Sequence, residues 1–138
     1  MCRMVAVIGK KPFSPQPFIT ALGHAAQHAL HAPHQDGHGI VYIAANNYSV
    51  HKEPLPIWET TLASSQLMTD AFCAHARKSS FGTVSIDNVH PFIECASQDC
   101  FAFMHNGTVY DIHTLFPHIE VESGRSEEHT SELQSPNT

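Results

Sequence analysis

The chain opens "MCRM", so a cysteine stands directly behind the initiator methionine. A side chain that small lets the methionine be trimmed, and trimming would leave a free α-amine beside its own thiol. The α-amine titrates at about 7.7–8.0 and a free thiol at about 8.5. The amine can therefore take the thiol's proton near neutral pH, as a separate histidine does in other cysteine enzymes. Position 2 is where this works, because an interior amine is locked in a peptide. Taken alone, Cys2 reads more simply as an incidental residue of a frayed end.

A thiolate that attacks a carbonyl needs a place for the negative charge it creates. "HNGTV" holds candidate parts: Asn106 offers a side-chain amide, and Gly107 an unobstructed backbone N–H beside it. Two such donors form an oxyanion hole in which each is worth about 2.7–4 kcal/mol. The same "NG" pair is also the strongest hairpin-turn signal in the chain. Arg77 lies in "FCAHARK" among apolar neighbours, where a buried guanidinium demands a carboxylate. A bidentate grip on a substrate carboxylate would satisfy it, and so would a structural partner such as Asp87 or Glu94. His75 and His105 read as core imidazoles with satisfied hydrogen bonds, and His90 in "NVHPF" as a packed loop residue.

These residues need elements to position them. "MVAVIG" is a short strand pattern, closed by Gly9 and a Lys-Pro turn. "PFITALGHAAQHALHAP" has Phe18, Ile19, Leu22, Ala26, Ala29 and Leu30 at helical spacing, with Pro33 as the stop. "IVYIAA" and "YSVHK" are strand patterns joined through the turn-prone "NN". "EPLPIWETTLASSQLMTDAF" begins as a proline-broken loop and offers a helix from about Trp58 or Ser64. "FCAHARK" is a strand with Cys73, His75 and Arg77 alternating on one side. "GTVSIDNVHPF" is mostly loop, "CFAFMHNGTVYDI" a strand running into the "NG" turn, and "DIHTLF" a short helix. The mixed order predicts an α+β or layered arrangement.

At 138 residues the chain has room for one domain, and 42% hydrophobic residues with eight Phe suit a buried core. The formal net charge of −6 leaves no basic surface for phosphates, which excludes nucleic acid as an expected partner. No apolar run reaches signal-peptide or membrane-spanning length, so a cytoplasmic protein is expected, with its four cysteines reduced. Cys95 and Cys100 flank "ASQD" and could nonetheless meet across a hairpin. "ESGRSEEHTSELQSPNT" has Leu133 as its one aliphatic residue, and "RSEEHTSELQS" (Arg125 to Ser135) resembles a translated sequencing-library adapter. The expected division is therefore 1–124 as a partial domain and 125–138 as a disordered, artefactual tail.

"MCRM", "DGHGI", "PLPIW", "HARKSSFG", "NVHPF" and "FMHNGTV" occur in the order seen in class II glutamine amidotransferases, over residues 1–117. The chain resembles the small stand-alone members that begin Met-Cys-Arg. The resemblance implies an N-terminal-nucleophile hydrolase with an αββα four-layer sandwich, here incomplete. It implies that Cys2 attacks the side-chain amide of glutamine and releases ammonia through a γ-glutamyl thioester. Asn106 and Gly107 match the family's oxyanion pair, and Arg77 matches the arginine that binds the substrate's α-carboxylate. The implied partner is a small molecule, without cofactor or metal. Some relatives hydrolyse γ-glutamyl peptides such as glutathione, and nothing in "HARKSSFG" separates the two substrates.

The chain also departs from the family pattern. His38 stands in "DGHGI" where relatives often carry Trp, and Lys78 and Phe81 fall where amidotransferases vary. The acidic "TDSE"-like stretch that holds the substrate's α-amine is absent, so low stability and little activity are expected of this chain as written. A reading of another class is a histidine-rich metal module. Twelve histidines are present, and His24, His28 and His31 would share one helical face at a spacing that can chelate zinc.

Overall fold

A computed structural model of the chain describes residues 2–45, 47–60, 67–79, 83–96 and 99–107. The elements run β1 (Arg3–Phe13), α1 (Gln16–Gln27), β2 (His38–Ala44), β3 (Asn47–Glu53), β4 (Thr69–Ala76), β5 (Phe92–Ala96) and β6 (Asp99–Phe103). Short 3-10 turns occupy Ile57–Glu59 and Ile86–Asn88. The helix expected from about Trp58 or Ser64 does not form over its described residues, since Ile57–Glu59 make a 3-10 turn and Thr69–Phe72 begin strand β4; "DIHTLF" and the 124/125 boundary lie outside the described residues. No helix among the described residues is long and apolar enough to cross a membrane.

The main sheet is antiparallel throughout, with strands in the order β1-β4-β2-β3. Side chains alternate across it, so one face carries Val5, Val7, Ile40, Tyr42, Phe72, Ala74 and Ala76. Helix α1 lays Ile19, Leu22 and Ala26 on this face, and Ile57 closes its edge. Phe13, Phe18 and Phe72 meet there as tilted and edge-on rings about 6 Å apart, an arrangement that adds to burial.

The opposite face carries Gly39, Lys52 and His75, which the strand registers place side by side. The β5–β6 hairpin and the chain leading into it lie against this face. Lys52 sits over the Phe92 ring, 5.2 Å from its centroid, and the His75 and His90 rings are 4.6 Å apart. Gly39 explains the close approach: a Cβ there would run into the His90 carbonyl oxygen. The hairpin covers this face only partly, and Ile8 remains 88% exposed, Ile43 41% and Val50 40%.

Four expectations are corrected by this arrangement. Strand β1 does not close at Gly9 but continues to Phe13, with a register shift between Ile8 and Phe13. Because β1 is an edge strand, Pro12 removes no donor that the sheet needs. The helix ends at Gln27 rather than at Pro33. Its apolar stripe runs out there: Leu30, one turn past Ala26, is 89% exposed, so a longer helix would bury nothing more. His28 therefore caps α1 while His31 falls beyond it, and the three-histidine helical face does not form. "GTVSIDNVHPF", expected mostly as loop, contributes its last residue, Phe92, to strand β5. Finally, Cys95 and Cys100 are disulfide-bonded rather than reduced. They are directly opposed in the β5–β6 register, with Cα atoms 4.1 Å apart, so the hairpin itself brings the sulfurs together.

The contact at Gly39 yields a test. Gly39→Ala forces backbone against backbone, so it is expected to lower unfolding stability by about 1–3 kcal/mol, read as a lower urea midpoint.

Candidate active site

An antiparallel ladder sets the first part of the site. Arg3 at the start of β1 pairs with Ala76 at the end of β4, and His38 at the start of β2 pairs with the same Ala76. The residues just outside these positions are Cys2, Arg77 and Gly37, so three strand ends deliver them side by side. The backbone ties follow: Arg77 N–H donates to the Gly37 carbonyl at 2.8 Å, and Asp36 N–H to the Arg77 carbonyl at 3.1 Å. The Asp36 carboxylate accepts from Ser79 N–H at 2.8 Å and lies 3.9 Å from Lys78 Nζ. Asp36 thus shapes the loop after β4, a role that "DGHGI" did not advertise because it depends on β2 and β4 being neighbours.

The Cys2 thiol rests against that loop. Lys78 N–H points at its sulfur from 3.4 Å, and the sulfur lies 3.6 Å from the Lys78 carbonyl. The half-buried Cys2 also meets the loop after β6. Its backbone N–H donates to Asn106 Oδ1 at 2.8 Å, and Asn106 Nδ2 donates to the Cys2 carbonyl at 3.0 Å. One amide therefore clamps both main-chain groups of the residue expected to carry the nucleophile. Gly107 follows with φ +154°, a backbone conformation open essentially to glycine alone. Arg77 is buried to 1% exposure, and its Nη1 reaches the Asp36 carbonyl at 3.4 Å. All four residues expected at the site, Cys2, Arg77, Asn106 and Gly107, thus belong to loops that converge here.

Histidines hold the Asn106 loop from below. His75 lies 3.2 Å through Nε2 from the His105 carbonyl, and His105 N–H donates to His90 Nδ1 at 3.0 Å. A carbonyl can only accept, so His75 carries its proton on Nε2; an imidazole nitrogen accepting an N–H is bare, so His90 carries its proton on the other nitrogen. Both rings are neutral. Burial pushes His75 down to about 3, with His90 beside it adding to the shift. Burial and then His105 bring His90 down to about 4. His34, buried near the same loops, is lowered first by burial and then by the charge of Arg3, with Lys78 adding and Asp36 opposing. Of the two free cysteines, Cys73 has its thiol pushed up by burial, which keeps it protonated and inert.

With this geometry in place, comparison with known proteins is informative. The family model described as "Glutamine amidotransferases class-II" matches residues 1–127. The chain belongs to this family. It is 29% identical over 113 residues to an uncharacterized protein of Methanocaldococcus jannaschii, covering 79% of this chain and 30% of that one. It is 30% identical over 81 residues to the Escherichia coli protein YafJ, named as a candidate glutamine amidotransferase, covering 54% of this chain and 31% of that one. The chain thus spans about a third of the length of these curated relatives. No solved structure matches it.

The buried histidines make the amidotransferase domain acid-sensitive. The unfolded chain takes up protons on these residues near pH 6.5, whereas the folded chain resists until about 4 at His90 and about 3 at His75. Stability is therefore complete above pH 6.5 and is lost as pH falls through this window. Urea unfolding at about pH 5 is expected to show a loss of up to about 2 kcal/mol per buried histidine relative to neutral pH. An unmoved midpoint would mean that the rings titrate freely.

Proposed function

We propose that the chain carries the glutaminase chemistry of a class II amidotransferase, with Cys2 as nucleophile once Met1 is removed. The observation that carries this reading is the double hydrogen bond between Asn106 and the main chain of Cys2. Removing Met1 turns the Cys2 N–H into an α-amine, and Asn106 Oδ1 already stands where it would hold that amine. The amine takes the thiol proton, and the sulfur attacks the side-chain carbonyl carbon of glutamine. The oxyanion forms beside the second hydrogen of Asn106 Nδ2 and the Gly107 N–H. Collapse expels ammonia, which leaves with the proton held by the α-amine. Water then cleaves the γ-glutamyl thioester by the reverse proton route.

Arg77 is assigned to the substrate's α-carboxylate. Its guanidinium is buried beside the thiol-bearing loop, in ground where Arg3 and Lys78 add positive charge. The helix, the main sheet and the hairpin would form three of the layers of an αββα N-terminal-nucleophile sandwich. We place the activity in the cytoplasm and on a small-molecule substrate, with residues 1–124 as the catalytic portion.

The test uses this chain continued to the length of its relatives, since it spans about a third of theirs. Intact mass is expected to lack methionine, and a glutamine-mimicking diazoketone to add to Cys2 alone; a retained Met1 would falsify the reading. Asn106→Ala is expected to cut kcat about 10²–10³-fold. Arg77→Lys, which keeps the charge and loses the fork, is expected to raise KM for glutamine about tenfold or more with a smaller change in kcat. Faster release of glutamate from glutathione than from glutamine would reassign the substrate to γ-glutamyl peptides while leaving the nucleophile in place.

A further inference from the structure

On the helix side of the main sheet, the face opposite His75, three side chains converge that the amide chemistry does not use. The register pairs His38 with Glu53 and Ile40 with His51, so His38, His51 and Glu53 point to the same face of β2 and β3. One ligand atom from each lies within 4.8 Å of the others. Two histidines and a carboxylate are a donor set of the kind that binds zinc.

The orientation of each donor argues further. His38 Nδ1 lies 2.7 Å from the Leu55 carbonyl, which can only accept, so this nitrogen carries the proton and Nε2 presents a lone pair. That is how a metal-binding imidazole is usually held by its surroundings. Glu53 is split in the same way. Thr60 Oγ1 holds its Oε2 at 3.0 Å, while Oε1 turns to His51 Nε2 at 3.3 Å. Ligands about 2.0–2.1 Å from a tetrahedral zinc ion stand about 3.3–3.4 Å from one another, so this pair already has the separation of two ligands. His51 Nε2 is shielded from water and makes no hydrogen bond among the described residues.

Proton counting exposes a deficit. The Thr60 hydroxyl has one hydrogen but two acceptors, Glu53 Oε2 and His38 Nε2, the latter at 2.7 Å. A cation bound by His38 Nε2 takes up that lone pair and leaves the hydroxyl free to serve Glu53. The ion would join β2 and β3 to the loop that carries Thr60 and packs Ile57 against α1.

We propose that His38, His51 and Glu53 form a three-ligand site for a divalent transition-metal ion of the zinc type, with water in the fourth position and Thr60 orienting the carboxylate. It is distinct from the His24, His28 and His31 set, which the end of α1 disperses, and it stands whether or not Cys2 is a nucleophile. The test uses the full chain stripped with a chelator and titrated with zinc chloride, followed by calorimetry, metal analysis and thermal melting. One equivalent is expected to bind and to raise the melting temperature. His51→Ala, at a partly exposed position, is expected to weaken binding about tenfold or more and to abolish the thermal response. Glu53→Gln should act in the same direction, and a His24→Ala, His28→Ala double variant should bind like the parent. The proposal is overturned if the parent binds no zinc. It is equally overturned if His51→Ala binds as the parent does, or if binding is lost only in the double variant.

Discussion

The structure rests on one antiparallel pairing. Because β1 and β4 run in opposite directions, the residue before β1 and the residue after β4 end up at the same end of the sheet. Cys2 and Arg77, 75 positions apart by their numbers, become neighbours through backbone hydrogen bonding alone. Any slip of that ladder by one residue would turn the core-facing Val5 and Val7 outward, so burial of these side chains enforces the register that aligns the site. The position of Cys2 is thus a consequence of how the core packs.

The second requirement is that the loop after β6 reach Cys2 from the other side of the sheet. Gly39 permits it by letting the His90 backbone approach, and the neutral pair His75 and His90 fixes the His105 peptide on which Asn106 hangs. These groups are buried and polar, and the hydrogen bonds at His75 Nε2 and His90 Nδ1 tie the loop down, while His75 Nδ1, His90 Nε2 and His105 Nε2 make none among the described residues. The sheet face around them keeps Met4, Ile8, Ile43 and Val50 exposed.

The candidate site was proposed from residue types. A terminal cysteine, a glycine after Asn106 and an arginine directly after an apolar strand each announce a chemical capacity that does not depend on context, and their order along the chain points to the family. The strand β4, the β2–β3 hairpin and the α+β mixture were equally readable, because period-two alternation and turn residues act over short range. The end of α1 was not. Ala29, Leu30 and Pro33 look like a continuing helix until the sheet runs out of surface for Leu30 to cover.

What the sequence determined by itself, then, is the inventory: a sulfur that can own its base, an amide and a glycine that can donate, a guanidinium that needs an anion, and apolar patterns that commit each segment to helix or strand. What only the tertiary structure decided is adjacency. Asp36 against Ser79, His75 against His105, Cys95 bonded to Cys100, and His38 facing His51 and Glu53 all arise from strand register. Register is set by the summed burial of a whole sheet, a long-range quantity that no local pattern of residues contains.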